Sequence, residues 1–150
     1  MNNRFIIVAF AIFMSACAPL QETQEAQDIE MSAQDGVFLH ISHGTDDPHR
    51  VAMALNMAAI MSEDHDVLVY FDIKGIEVVL QDAPDISYAQ FPGSRNQLKL
   101  LDERGVILAA CPGCLQAAGK TAEDLQEGIT AANKEEFFDF TEGRILTLDY

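Results

Sequence analysis

From Gly36 onward, short apolar runs of strand length alternate with apolar residues at helical spacing. Val37-Phe38-Leu39-His40-Ile41-Ser42 is nearly continuous in apolar character, as a buried parallel strand would be. Pro48 then stands where a helix can begin, because its missing N–H costs nothing at the first position. Val51, Ala54, Leu55, Ala58 and Met61 repeat at helical spacing through Arg50 to Met61. Asp66 to Phe71 reads as a second strand, Gly75 to Leu80 fits strand or helix, and the two prolines between Asp82 and Gly93 mark a loop. Leu98, Leu100 and Leu101 belong to a helix from about Ser94 to Arg104, which Gly105 closes. Val106 to Ala110 is the clearest buried strand and runs directly into Cys111-Pro112-Gly113-Cys114. Thr121-Ala122-Glu123-Asp124 has the form of a capping box and predicts a helix to about Asn133, and Arg144 to Leu148 predicts a last strand.

Strands separated by helices imply right-handed crossovers and a parallel sheet covered on both faces. The expected fold class is α/β: a three-layer sandwich, Rossmann-type and doubly wound, with a four- or five-stranded, mostly parallel sheet. Ligands of such sheets bind beyond the carboxyl ends of the strands. Two loops fall there, His43 to Asp47 and Cys111 to Cys114. If their strands are neighbours, the histidines and the thiols share one small area.

The stretch before Gly36 is different in kind. Arg4 precedes ten apolar residues, Phe5 to Met14. A membrane-spanning helix needs roughly 20, so this run suits the apolar region of a signal peptide. Met14-Ser15-Ala16-Cys17 resembles the lipobox of bacterial lipoproteins, although leucine is commoner than methionine at its first position. The resemblance implies cleavage before Cys17, lipidation of Cys17, and a periplasmic domain anchored to a membrane. Ala18, in place of aspartate, implies the outer membrane. Residues 17–35 are rich in Gln, Glu, Ala and Asp without apolar period and read as an acidic tether. The expected organisation is therefore a signal over 1–16, lipidated Cys17 and tether over 17–35, and one domain over 36–150.

The 150 residues carry 24 Asp+Glu against 9 Lys+Arg, a net charge of −15. That balance repels phosphate backbones and excludes nucleic acid as a partner. Three cysteines are too few for a disulfide scaffold, but allow one lipid attachment and one pair.

Pro112 at a first helical position makes Cys111 a helix cap and puts Cys114 one turn on. A cysteine at a helix N-terminus favours the reactive thiolate. Such a pair serves dithiol–disulfide exchange, sulfur transfer with a resolving thiol, or metal binding. A purely structural disulfide closing so small a loop would stabilise the fold little. Thioredoxin fits poorly, since only 36 residues follow Cys114 and the chain holds no Trp. Of the histidines, His40 reads as a core residue of the first strand. His43 points from the strand end toward ligand or proton transfer, His49 is a surface or anion-facing residue, and His65 is solvated. Met53, Met57 and Met61 read as a helix core face.

Gly44-Thr45-Asp46-Asp47-Pro48-His49-Arg50 leading into an Ala-rich helix, the strand Val67 to Phe71 before Gly75-Ile76, and Arg104-Gly105-Val106 before a strand ending in Cys111 together resemble the DsrE/DsrF-like family of small sulfur-handling proteins. The resemblance covers roughly Gly36 to Leu148. It implies a persulfide carried on Cys111 and assembly into trimers or hexamers; His43 and Gly44, in the loop after the first strand, are the candidate substrate-binding residues. Cys114 departs from the family's single-cysteine arrangement, and the lipoprotein signal departs from its cytoplasmic setting. The function expected is a membrane-tethered sulfur carrier, sulfurtransferase or thiol–disulfide exchanger, with Cys111 and Cys114 catalytic. It needs no cofactor, and its partner is a sulfur donor or redox protein. The alternative is a non-catalytic carrier of copper or zinc on Cys111, Cys114 and His43, a soft donor set.

Overall fold

The structure, a computed structural model, describes residues 34–150. The signal and Cys17 lie outside the described residues, as does the tether up to Ala33. Five strands form one sheet: β1 (Gly36–Ile41), β2 (Asp66–Phe71), β3 (Ile107–Ala110), β4 (Ile129–Ala131) and β5 (Ile145–Asp149). Their order is β4-β3-β2-β1-β5 and every pairing is parallel. The helices are α1 (Pro48–Met61), α2 (Ile76–Val79), α3 (Ser94–Glu103), α4 (Pro112–Ala117) and α5 (Lys134–Phe140). Among the described residues, no helix is long and apolar enough to cross a membrane.

Strand alternation divides the residues cleanly between two faces. Val37, Leu39 and Ile41 of β1 and Val67, Val69 and Phe71 of β2 are buried, with Val51, Ala54, Leu55 and Ala58 of α1 and Leu98 and Leu101 of α3 in the same core. Phe38, His40 and Tyr70 point the other way and are only half-buried. The β4-to-β5 connection returns beneath that second face, and α5 sets Phe137 edge-on to Tyr70 at 5.2 Å and beside Phe38 at 6.1 Å. One face is thus sealed by α1 and α3, and the other is only partly covered by α5.

Two predicted elements come out differently. The Thr121 capping box is present, but it closes only a 3₁₀ turn over Ala122–Asp124. Leu125 and Ile129 are buried, and Leu125 bridges to Leu80, so the chain turns extended toward β4. The helix forms later, where the Asn133 side chain accepts the Glu136 N–H at 3.0 Å. On α1 the methionines are not the core face. Met53 is exposed, and Met57 and Met61 only flank a core made by Val51, Ala54, Leu55 and Ala58.

Gly75 is required by close approach, since a Cβ there would run into the carbonyl oxygen of Ile41. This contact fixes the loop between β2 and α2 against the end of β1.

Candidate functional site

The site forms where β2 and β3 end. Cys111 N–H donates to the Phe71 carbonyl at 2.8 Å, extending the β2–β3 ladder by one residue and holding the thiol beside the end of β2. Cys111 then caps α4 with Pro112 at the first helical position, and its sulfur accepts the Cys114 N–H at 3.3 Å. The six-residue helix is too short for a large dipole, so individual N–H groups provide the polarisation. Both thiols are free and half-buried.

Three further groups reach the pair. Tyr70, which pairs with Ala109 in the register, presents its hydroxyl to the Cys111 sulfur. The Ile73 N–H donates to Cys114 Sγ at 3.1 Å. Ile73 holds that N–H in place with φ of +48°, the left-handed region that a β-branched residue rarely occupies. Asp72 lies between them in sequence, and its charge acts on both Tyr70 and Cys114.

These contacts make the two thiols unequal. Burial would raise Cys111, but the Tyr70 hydroxyl, the Cys114 thiol and the N–H groups of Cys114 and Gly113 favour its anion, and its pKa falls below the ordinary thiol value. The Cys111 sulfur, and then burial, push Cys114 up, against the lowering effect of the Ile73 N–H. Burial, followed by the neighbouring sulfur, pushes the Tyr70 hydroxyl far above its usual range, so it stays a proton donor at neutral pH. Of the two thiols, Cys111 is the one whose surroundings favour the anion.

His40 is not a core histidine. On the second face, its Nε2 meets Asp72 Oδ1 at 2.8 Å and its Nδ1 meets Asp149 Oδ1 at 2.9 Å. Its ring lies 6.0 Å from that of Tyr70 at an interplanar angle of 27°. Burial disfavours its charged form, but the two carboxylates outweigh burial and raise its pKa. A row of Asp149, His40, Asp72 and Tyr70 thus runs across the sheet toward Cys111. Sequence reasoning missed Tyr70, Asp72 and Asp149. The signal was the alternation itself, which puts a Tyr and a His on the same face as the cysteine once the strand order is known.

The proposed ligand set of Cys111, Cys114 and His43 does not assemble. β2 separates β1 from β3, and strands lie about 4.8 Å apart, so the loops after β1 and β3 are not neighbours. The His43 Nδ1 meets the Ser42 hydroxyl at 3.2 Å. Among the described residues, no group of three or more His, Cys, Asp or Glu is arranged to hold a metal ion. Gly44 donates its N–H to Asp46 Oδ1 at 2.9 Å, and a Cβ there would meet the Lys74 carbonyl oxygen at 2.5 Å. Its place is explained by packing. His49 stacks on Tyr88 at 4.3 Å, and His65 pairs with Asp64 at the surface.

A sequence model of the DsrE/DsrF-like family matches residues 35–143. The chain belongs to the DsrE/DsrF-like family. Membership suggests a sulfur-related function. Among solved structures, the ychN protein of E. coli is similar in fold, with TM-score 0.61 and 16% identity over 77% of this chain and 99% of that one. A protein of unknown function from Methanobacterium thermoautotrophicum, MTH1491, matches with TM-score 0.56 and 21% identity over 75% of this chain and 98% of its own. These DsrE-like neighbours share the five-stranded parallel α/β fold. No curated protein matches the chain.

Proposed function

We propose that this DsrE-like domain takes up sulfane sulfur on Cys111 and that Cys114 acts as its resolving thiol. The observation that carries the reading is the asymmetric pair. Cys111 Sγ accepts the Cys114 N–H at 3.3 Å and the Tyr70 hydroxyl further favours its anion, while the neighbouring sulfur and burial push the Cys114 thiol up. A thiolate attacks a sulfane donor, and the hydrogen bonds that stabilise it lower the cost of forming it at neutral pH. At pH of about 6.5, two units below a free thiol's ordinary ~8.5, iodoacetamide labels Cys111 first. Cys111→Ala abolishes the mass gain of one sulfur after exposure to inorganic polysulfide. If both single cysteine variants load as the wild type does, the reading fails.

The Met14-Ser15-Ala16-Cys17 segment supports placing this chemistry in the periplasm on a lipid anchor at Cys17. Cys17→Ser then releases the chain from the membrane fraction without altering thiol reactivity. Wild-type chain recovered wholly soluble with Cys17 unmodified rejects the anchor.

A further inference from the structure

Cys114 is beside Cys111 and is fixed there. The turn after Pro112 directs the Cys114 N–H to Cys111 Sγ at 3.3 Å, and the Ile73 N–H holds Cys114 Sγ at 3.1 Å. That second hydrogen bond comes from a β-branched residue held in the left-handed region, a strained conformation. Strain of that kind in the loop that meets the sulfur points to a role for the contact.

We propose that the pair reduces sulfane sulfur to sulfide rather than storing it: Cys114 attacks the Cys111 persulfide, releases hydrosulfide and leaves a Cys111–Cys114 disulfide. This rests on the sulfur-uptake reading above and extends it to the product. In the loaded state Cys111 carries a perthiolate, and Cys114 is a thiol whose S–H faces it. The Cys114 proton passes to the outer sulfur, and Cys114 Sγ bonds to Cys111 Sγ. The bond between Cys111 Sγ and the outer sulfur breaks, and its electron pair leaves on hydrosulfide. One perthiolate and one thiol become one disulfide and one hydrosulfide, so atoms and charge balance with no external oxidant. The sulfane sulfur is reduced and the two cysteines are oxidised. Each further turnover requires a protein dithiol to reduce the disulfide, which places a dithiol reductant after this domain and a sulfane donor before it.

The full chain, reduced and freed of reductant, is exposed to inorganic tetrasulfide, with sulfide trapped as its bimane adduct and intact mass recorded. The wild type yields one equivalent of sulfide above a no-protein control and loses the mass of two hydrogens. Cys114→Ala and Cys114→Ser gain the mass of one sulfur and release no such sulfide. Ile73→Gly, which keeps the N–H and relieves the strained φ, still releases sulfide but more slowly. A wild type that keeps the added sulfur with both thiols unbridged overturns the proposal and leaves the uptake reading intact. Absence of added sulfur from the wild type and from both Cys114 variants overturns both.

Discussion

Removing the Tyr70 hydroxyl isolates one of the contacts that set the Cys111 pKa. Tyr70→Phe keeps the ring against Phe137 and His40, so the packing of the second face is retained and only the O–H is lost. A hydrogen bond to a charged group contributes about 1.5–3 kcal/mol. Cys111 is half-buried and retains the N–H groups of Cys114 and Gly113, so the loss should fall below that range, at about 1 kcal/mol. At 1.36 kcal/mol per pKa unit, this raises Cys111 by about 0.7 unit.

Below its pKa, the thiolate fraction then drops about fivefold, but a more basic thiolate is a better nucleophile, with a Brønsted slope of roughly 0.4–0.5, so the alkylation rate falls only about two- to threefold. A single-pH rate would understate the effect. The informative assay is the full pH profile of iodoacetamide alkylation of Cys111, resolved by peptide mass. It is run in Cys114→Ala and in the double variant, so that the second thiol does not complicate the titration. Superimposable profiles with and without the hydroxyl would show that Tyr70 does not stabilise the thiolate, and the row from Asp149 to Cys111 would lose its last link.

Protonated His40 is favoured by Asp72 and Asp149, so its folded pKa lies above the ordinary 6.5. The stability it contributes is fully present below about pH 6.5 and is lost as pH rises through the folded value. Urea midpoints should therefore fall with rising pH in the wild type relative to His40→Gln, by about 1 kcal/mol or less given the exposure of Asp149; a pH-independent difference between the two would reject the linkage. The glycines give a paired test by urea unfolding. Gly75→Ala drives a Cβ into the Ile41 carbonyl and should cost about 1–3 kcal/mol. At Gly113 a Cβ meets nothing nearer than Cys111 Sγ at 3.9 Å, so Gly113→Ala should be neutral or stabilising by up to about 1 kcal/mol. Equal losses at both positions would refute the steric argument.

Much of the fold is legible in the chain because local rules and tertiary burial agree there. Asp66 to Phe71 is apolar and β-rich, and it is β2. Pro112 after Cys111 dictates a cap, and the cap is observed. Where they disagree, burial wins. Thr121 and Asp124 make their capping box, yet the need to bury Leu125 and Ile129 ends the turn after three residues. The thiol pair was visible because both partners lie within four residues of each other. The rest of the site was not, because Tyr70 comes beside Cys111, and His40 and Asp149 line up behind it, only through the order β3-β2-β1-β5, which no local pattern encodes. The same order removes His43 from the thiols, since a whole strand intervenes.

The division between the two faces also explains why this chemistry tolerates its setting. A Tyr and a His in the middle of adjacent strands would be costly on the face closed by α1 and α3, where Val37, Leu39, Val69 and Phe71 leave no room for a polar partner. On the face covered by α5, each finds one: His40 has Asp72 and Asp149, and Tyr70 has the Cys111 sulfur. Partial cover excludes enough water to strengthen these hydrogen bonds, yet leaves the thiols half-exposed. A sealed face would close the thiols off, and a bare one would weaken the hydrogen bonds that favour the Cys111 anion. A seven-residue helix that covers Phe38 and Tyr70 but does not bury the strand ends meets both requirements.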